Sequence, residues 1–152
     1  MNYVLKFQNQ LAKLPFGRVL FSNLIAKKAP YFITIKPTIL ELRHNYIKVF
    51  MRKRPAVHNH LKTVHAIASC NLCEFAAGIC MESSIPKNRR WIPIGMTVQY
   101  LYKAKTDLTA ECDLSSTDWE SVSEVPCKVD VKDKEGQIVV SAVITMKVSN
   151  KK

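Results

Sequence analysis

Several features that would identify a common class of protein are missing from this 152-residue sequence. Its longest apolar run, residues 64–81, is interrupted by Asn71 and Glu74, so no membrane-spanning helix is predicted. The first residues, MNYVLKF, lack the basic segment and uninterrupted apolar stretch of a signal peptide, and we expect a cytoplasmic protein. Neither a Gly-x-Ser-x-Gly motif nor a glycine-rich phosphate loop is present. These absences disfavour a membrane protein, a serine hydrolase with that motif and a nucleotide-binding protein with that loop.

The five cysteines are an odd number, and Cys70, Cys73 and Cys80 fall within one apolar segment. This distribution predicts free, buried thiols in a reducing compartment, and not a disulfide framework. The Cys70-x-x-Cys73 spacing resembles half of a zinc or redox motif, but no second ligand pair accompanies it, so core packing is favoured. A cluster of the histidines within residues 58–65 is the alternative metal site, and we predict no metal.

Acidic residues are few: the sequence has 12 aspartates and glutamates and 23 lysines and arginines, which gives a net charge of +11. Nucleic acid, an anionic membrane surface and a phosphorylated small molecule are the partners that such a charge suits. The basic residues are spread in small groups and form no single basic helix or arm. Charge alone therefore does not choose among these partners, and an ordinary solvated surface stays open.

Hydrophobic periodicity predicts two short amphipathic helices, two strands, one long helix and then four more strands. The predicted helices cover residues 1–14, 17–28 and 64 to about 84, and the predicted strands cover 31–42 (bent near Pro37), 46–51, 91–103, 107–114, 125–131 and 137–148. Pro93 and Gly95 indicate a bulge or an edge strand. This order predicts an α+β domain in which a curved antiparallel sheet wraps around one long helix.

The long helix is unusual because residues 64–79 are apolar or small on nearly every side. A helix of this kind is normally buried, and we expect Glu74 in its middle to be buried with it. A buried carboxylate is costly unless it is paired or functional, so Glu74 is a candidate catalytic group. A structural carboxylate in a subunit contact is the alternative. A polar segment that contains Asn59, Thr63 and His65 precedes the helix.

The motifs around this helix resemble those of the hotdog-fold acyl-CoA thioesterase superfamily, and most closely an uncharacterised bacterial family within it. The matching residues lie in N-H-x-x-T-V-H-A-x-A (59–68), N-L-x-E-x-A-A-G (71–78) and V-x-Y-L (98–101). The resemblance extends over nearly the whole chain. It implies a single hotdog domain over residues 1–152, with residues 1–30 as a helical extension packed on it.

Related phenylacetyl-CoA thioesterase-like proteins carry an Asn, a His six residues later and an acidic residue nine residues after that His. Asn59, His65 and Glu74 stand at these spacings. By this resemblance Asn59 would orient the entry loop or hold water or the thioester carbonyl, the Ala66 N–H would be an oxyanion donor, and Glu74 would be general base or nucleophile. His65 is a candidate for direct chemistry by its imidazole, and capping the helix and holding the loop is its alternative role. The two glycines that follow the His in those proteins are replaced here by Ala66 and Ile67.

The substrate implied by the resemblance is an acyl-CoA or acyl-carrier thioester, with coenzyme A as part of the substrate and no separate cofactor. The residues expected to contact it are Thr63, Thr97, Arg52, Arg54, Arg89 and Arg90, the arginines serving the phosphates. Thr97 is the nearest substitute for a strand hydroxyl whose place is taken here by Pro93. An apolar wall that includes Cys70, Cys73, Phe75, Met96 and Val98 is expected to line an acyl tunnel.

The spacing of His65 and Glu74 has a consequence for the oligomeric state. On one continuous helix nine residues separate them by roughly 13 Å, and they face nearly opposite sides. They can act on one thioester only if two subunits share the site, so we predict a homodimer, with a tetramer made of two such dimers as the alternative. A non-catalytic protein that binds acyl-CoA or a fatty acyl group is the alternative function. Nucleic-acid binding is supported by charge alone, and we do not expect it.

Overall fold

The computed structural model describes residues 2–151. The two ends of the predicted domain, Met1 and Lys152, lie outside the described residues. The helices are α1 (Tyr3–Leu11), α2 (Gly17–Lys28) and α3 (Ala66–Ser84), with short 3-10 helices at Pro30–Ile35 and Pro55–Val57. The strands are β1 (Thr38–Arg43), β2 (Tyr46–Met51), β3 (Arg89–Tyr100), β4 (Leu108–Asp113), β5 (Glu124–Lys132) and β6 (Ile138–Asn150). The α+β class and the predicted sheet around a central helix are confirmed.

The six strands form one antiparallel sheet in the order β1-β2-β4-β5-β6-β3. Alternate residues of β4, β5 and β6 are buried, as expected for strands that turn one face to a core and the other to solvent. Hairpins join β1 to β2 and β5 to β6, with Asn45 and Gly136 in the left-handed conformation at the two turns. This topology leaves β1 and β3 at the two edges.

Helix α3 packs across the centre of the sheet, against β2, β4, β5 and β6. Its inward side chains are fully buried and include Leu72, Phe75 and Met81. Burying one such side chain stabilises the fold by about 1.5–3 kcal/mol, so this helix contributes substantially to the core that it shares with the strands. No helix in residues 2–151 is long and apolar enough to cross a lipid bilayer.

The two N-terminal helices pack against each other at the β1 edge of the sheet. Helix α1 contacts α2 and α3, and α2 packs on β1. Gly17 begins α2 where a Cβ atom would collide with the Leu11 carbonyl, so a glycine lets the chain turn back closely after α1. Ser22 in α2 is buried and accepts a hydrogen bond from the Ile39 N–H at 2.8 Å, which fixes α2 to the edge strand β1.

The predicted strand over residues 31–35 is wrong, because this segment is the 3-10 helix Pro30–Ile35. Pro30 occupies the first position, where its fixed φ and missing N–H suit a helix start. Phe32 packs edge-on against Phe75 of α3 with ring centroids 5.2 Å apart. Tertiary packing therefore overrides the strand preference of a segment rich in β-branched and aromatic residues.

Strand β3 pairs only with β6 and exposes several large apolar side chains on an edge of the sheet. Ile92, Ile94 and Met96 are exposed, and the register with β6 shifts between Pro93 and Gly95, which confirms the predicted irregular edge strand. Edge strands with unpaired backbone groups are templates for pairing with another chain.

Candidate active site

The first turn of α3 presents a backbone donor at the N-terminus of the central helix. His65 is the N-cap residue, and its Nδ1 accepts a hydrogen bond from the Ile67 N–H at 3.1 Å. Within the described part of the chain, the Ala66 N–H has no such acceptor. The helix dipole adds positive potential at this end, so the Ala66 N–H is suited to stabilise an oxyanion.

Asn59 closes the loop that leads into α3. Its Oδ1 accepts hydrogen bonds from the N–H groups of Leu61 (3.0 Å) and Thr63 (3.1 Å), and its Nδ2 donates to the Thr63 Oγ1 at 2.8 Å. Lys62 adopts the left-handed conformation within the same turn. Side chains that bond their own backbone in this way are typical of tight turns. The structure therefore gives Asn59 a loop-forming role and leaves its second Nδ2 hydrogen for a water or a carbonyl oxygen.

A cavity of about 490 Å³ opens beside this loop and the start of α3. Asn59, Thr63 and Ala66 line it on one side, and Tyr100 at the end of β3 and Lys103 just beyond that strand line it on the other. Three of the residues proposed from the sequence are thus brought together. The volume lies within the range of small-molecule binding sites.

Glu74 is exposed, and the prediction that it is buried is wrong. Ile67, Cys70 and Glu74 follow one another at intervals of three and four residues, so they share one face of α3. Ile67 and Glu74 are exposed and Cys70 is half-buried, which shows that the chain's own sheet does not cover this face. Among residues 2–151, no ion pair involves Glu74.

Glu74 lines a second cavity, of about 410 Å³, that lies between α3, the N-terminal helices and β3. The other side chains around it are mostly apolar and include Phe32, Phe75, Trp91 and Met146. A carboxylate at the edge of an apolar cavity is well placed to act on a polar group attached to a hydrocarbon chain.

The two halves of the proposed site are separated within one chain. Helix α3 is continuous from Ala66 to Ser84, so the step of eight positions from Ala66 to Glu74 corresponds to about 12 Å along its axis. A single thioester carbonyl cannot contact both groups at hydrogen-bonding distance. The described chain therefore presents an oxyanion donor and a carboxylate that do not converge.

The predicted phosphate-binding arginines are scattered. The two terminal nitrogens of Arg89 donate to the carbonyls of Trp119 (2.7 Å) and Val122 (2.6 Å) and hold the β4–β5 connection. Arg54 donates to a backbone carbonyl of the 3-10 helix Pro30–Ile35. Arg52 and Arg90 are exposed. Arg89 and Arg90 also begin β3, which follows the C-terminal end of α3, far from Ala66.

Thr97 lies on β3 opposite Val143 of β6 and is exposed, whereas Pro93 lines the cavity beside Glu74. The predicted apolar wall is not assembled as expected. Cys73 is fully buried against the sheet, where burial raises the pKa of its thiol to about 12, and Met96 is exposed. Of that set, Phe75 lines the cavity that contains Glu74.

Three residues that the sequence did not point to meet at one end of this cavity. The carboxylate of Glu82 accepts hydrogen bonds from the Tyr3 hydroxyl at 2.9 Å and from the Trp91 indole N–H at 3.0 Å. These residues are about 80 and 9 positions from Glu82 in the sequence. One feature of the sequence could have pointed to Glu82: it follows Glu74 by eight residues on the same predicted helix.

Within residues 2–151 no group of three His, Cys, Asp or Glu side chains is arranged to hold a metal ion.

Residues 17–148 match the family described as Domain of unknown function (DUF4442). The chain belongs to this family. Helix α1 lies before residue 17 and is therefore outside the matched range. No curated protein matches the chain.

Solved structures agree with this membership. The structural-genomics target APC5556 is 40% identical, covers 98% of this chain and 99% of its own, and superposes with a TM-score of 0.87. A Pseudomonas aeruginosa protein described as a "probable thioesterase" is 20% identical over 91% of this chain and 97% of its own, with a TM-score of 0.76. The thioesterase HI1161 from Haemophilus influenzae is 12% identical over 79% and 82%, with a TM-score of 0.70. The fold of this family member is therefore the hotdog fold, as the motifs predicted.

Proposed function

We propose that the protein is a thioesterase that hydrolyses an acyl-CoA or acyl-carrier thioester at a site shared by two copies of the chain. The observation that carries this proposal is Glu74, an exposed carboxylate on an uncovered face of the central helix and at the edge of an apolar cavity. The thioesterases among the structural neighbours support the same chemistry.

Two features support a dimer as the functional unit. The edge of β3 carries exposed Ile92, Ile94 and Met96, which are suited to pairing with the same strand of a second copy. Cys70 lies midway between Ala66 and Glu74 on the uncovered face of α3. Two α3 helices that pack antiparallel and cross at Cys70 place Glu74 of one copy level with Ala66 of the other.

In this arrangement the carboxylate of Glu74 takes a proton from a water molecule as the water oxygen attacks the thioester carbonyl carbon. The carbonyl π electrons move to oxygen, and the resulting oxyanion is stabilised by the Ala66 N–H of the other copy. The intermediate then re-forms the C=O bond and expels the thiolate. The thiolate receives the proton from Glu74, so the products are a carboxylic acid and a thiol.

The remainder of the substrate has a defined place in this proposal. The 490 Å³ cavity at the start of α3 receives the polar arm next to the sulfur, with Asn59 and Thr63 on one side and Lys103 on the other. Lys103 replaces Arg89 as a candidate for a phosphate, because Arg89 is held by backbone carbonyls. Arg52 and Arg90, both exposed, remain available to a phosphorylated substrate.

A thiol-release assay across acyl-CoA chain lengths tests the proposal, with the wild type beside Glu74→Gln. We expect Glu74→Gln to reduce kcat by about 10²–10⁴-fold, the usual contribution of a general base. Glu120→Gln is the matched control, because Glu120 is an exposed glutamate outside both cavities. Equal turnover by Glu74→Gln and wild type would refute the role of Glu74. Tight acyl-CoA binding without thiol release would favour the non-catalytic alternative.

A further inference from the structure

The 410 Å³ cavity that Glu74 lines continues along α3 for two helical turns. Glu74, Phe75, Gly78, Ile79 and Glu82 form the floor of this cavity, which is the stripe expected for one helix face. We propose that this cavity holds the acyl chain of the substrate and limits it to a medium length, about eight to ten carbons. This inference rests on the proposed function, because it assumes that the thioester carbonyl lies at Glu74.

The chemistry of the walls favours a hydrocarbon. Val4 of α1, Ile25 of α2, Phe32 and Met146 surround the space, together with the rings of Phe75 and Trp91. Charged groups are confined to the rim and the ends, where Glu74, Lys28 and Glu82 lie. An alkyl chain would bury apolar area here without leaving an unpaired polar group inside.

Gly78 lets the Trp91 indole ring pack directly on α3. It lies between the two glutamates on α3, and a Cβ atom at this position would be only 3.2 Å from the ring. A larger residue would therefore push the ring into the cavity. With glycine, the ring forms one wall of the slot, and in this proposal the acyl chain passes beside it, against Phe75 and Ile79.

The length of the slot follows from the helix. Glu74 and Glu82 are eight residues apart, which corresponds to about 12 Å along α3. A fully extended chain advances about 3.6 Å for every three bonds, so about ten bonds fill this distance. An acyl group of eight to ten carbons fits if its carbonyl carbon is next to Glu74.

The far end of the slot is closed by hydrogen bonds that involve α1. Tyr3 and Trp91 donate to the two carboxylate oxygens of Glu82, and the Asn2 side chain donates to the Glu82 carbonyl at 2.6 Å. Tyr3 and Glu82 also line a separate cavity of about 370 Å³ on the other side. The Tyr3–Glu82 pair is thus a partition between two cavities. Tyr3 and Val4 precede the range that matches the family, so this partition is supplied by the N-terminal extension.

Two substitutions change the slot in opposite directions. Ala29 is exposed and lines the cavity at the end of α2, so Ala29→Phe narrows the slot without disturbing the core. Tyr3→Ala removes the partition and joins the slot to the 370 Å³ cavity. Ala12→Phe is the matched control for Ala29→Phe, because Ala12 is an exposed alanine at the end of α1 and outside the cavity.

The test is kcat/KM for thiol release with acyl-CoA substrates from C4 to C16. Each buried methylene contributes about fourfold, so we expect wild-type kcat/KM to rise by on the order of 100-fold from C4 to C8 and to fall beyond C10. Ala29→Phe should move the optimum to C6 or shorter, and Tyr3→Ala should move it to C12 or longer. Ala12→Phe should keep the wild-type profile. A profile that is flat, or unchanged in both Ala29→Phe and Tyr3→Ala, would overturn the inference while leaving the thioesterase proposal intact.

A binding measurement separates this inference from the proposed function. Trp91 lines the slot, so its fluorescence in a Trp119→Phe background reports occupancy by S-decyl-CoA, a thioether that cannot be hydrolysed. S-decyl-CoA has six more methylenes than S-butyl-CoA, so we expect it to bind on the order of 1,000-fold more tightly, and Ala29→Phe to abolish that difference. This result in a protein that releases no thiol would support the slot and reject the thioesterase. Equal affinity for both thioethers, or no binding of either, would overturn the inference.

Discussion

Replacing Ala66 with proline removes the proposed oxyanion donor and keeps the helix start. Ala66 is the first residue of α3, a position where proline is favoured because the N–H has no intrahelical partner. His65 already has φ −65° and ψ 138°, the extended conformation that a residue before proline requires. We therefore expect the free energy of unfolding to change by less than about 1 kcal/mol, with a gain more expected than a loss.

The effect on hydrolysis should be large by contrast. Loss of one oxyanion donor costs about 10²–10³-fold in kcat, and a thiol-release assay with the preferred acyl-CoA measures it directly. Ala66→Gly retains the N–H and is the matched control. Thermal unfolding of both variants, monitored by circular dichroism, shows that the fold is kept. A folded Ala66→Pro protein with kcat within about threefold of wild type would refute the assignment of this N–H.

Two further predictions concern stability and assembly. Glu111 has a lowered pKa, mainly because Lys132 donates a hydrogen bond to it at 2.6 Å and secondarily because of Lys48 at 3.0 Å. The stability that ionised Glu111 contributes is present above its unfolded pKa of about 4.3 and is lost as the pH falls through its lower folded pKa. Glu111→Gln should therefore lower the free energy of unfolding, measured in urea, by about 1 kcal/mol at pH 7 and leave it unchanged at pH 2. An equal loss at both pH values would contradict this. Of the five cysteines, four are buried and Cys70 is half-buried, so a short bis-maleimide should link two chains through Cys70 and fail with Cys70→Ser; a cross-link that survives Cys70→Ser would contradict the proposed crossing point.

The order of elements and the central helix could be predicted because periodicity reflects burial within the chain. The alternating residues of β4 to β6 and the apolar α3 leave little freedom once they must share one core. The segment Pro30–Ile35 could not be assigned correctly, because its composition suits a strand and the contact of Phe32 with Phe75 decides its conformation.

The candidate site was predictable as a set of residue types but not as a geometry. The apolar composition of α3 indicated burial at every position, and composition cannot tell a face covered by the chain's own sheet from one that the sheet leaves uncovered. Glu74 is therefore exposed where burial was expected. Arg89 was assigned to a phosphate on charge, whereas its partners are carbonyls about 30 residues away that only the fold brings near.

Mixed dimers test the shared site most directly. Chains with Glu74→Gln and chains with Ala66→Pro are each expected to form nearly inactive homodimers. When the two are co-expressed in equal amounts, half of the dimers contain one chain of each kind, and each such dimer has one of its two sites intact. We predict recovery of about a quarter of the wild-type thiol-release activity. No recovery in a mixture that has demonstrably exchanged subunits would contradict a site built from Glu74 of one copy and Ala66 of the other.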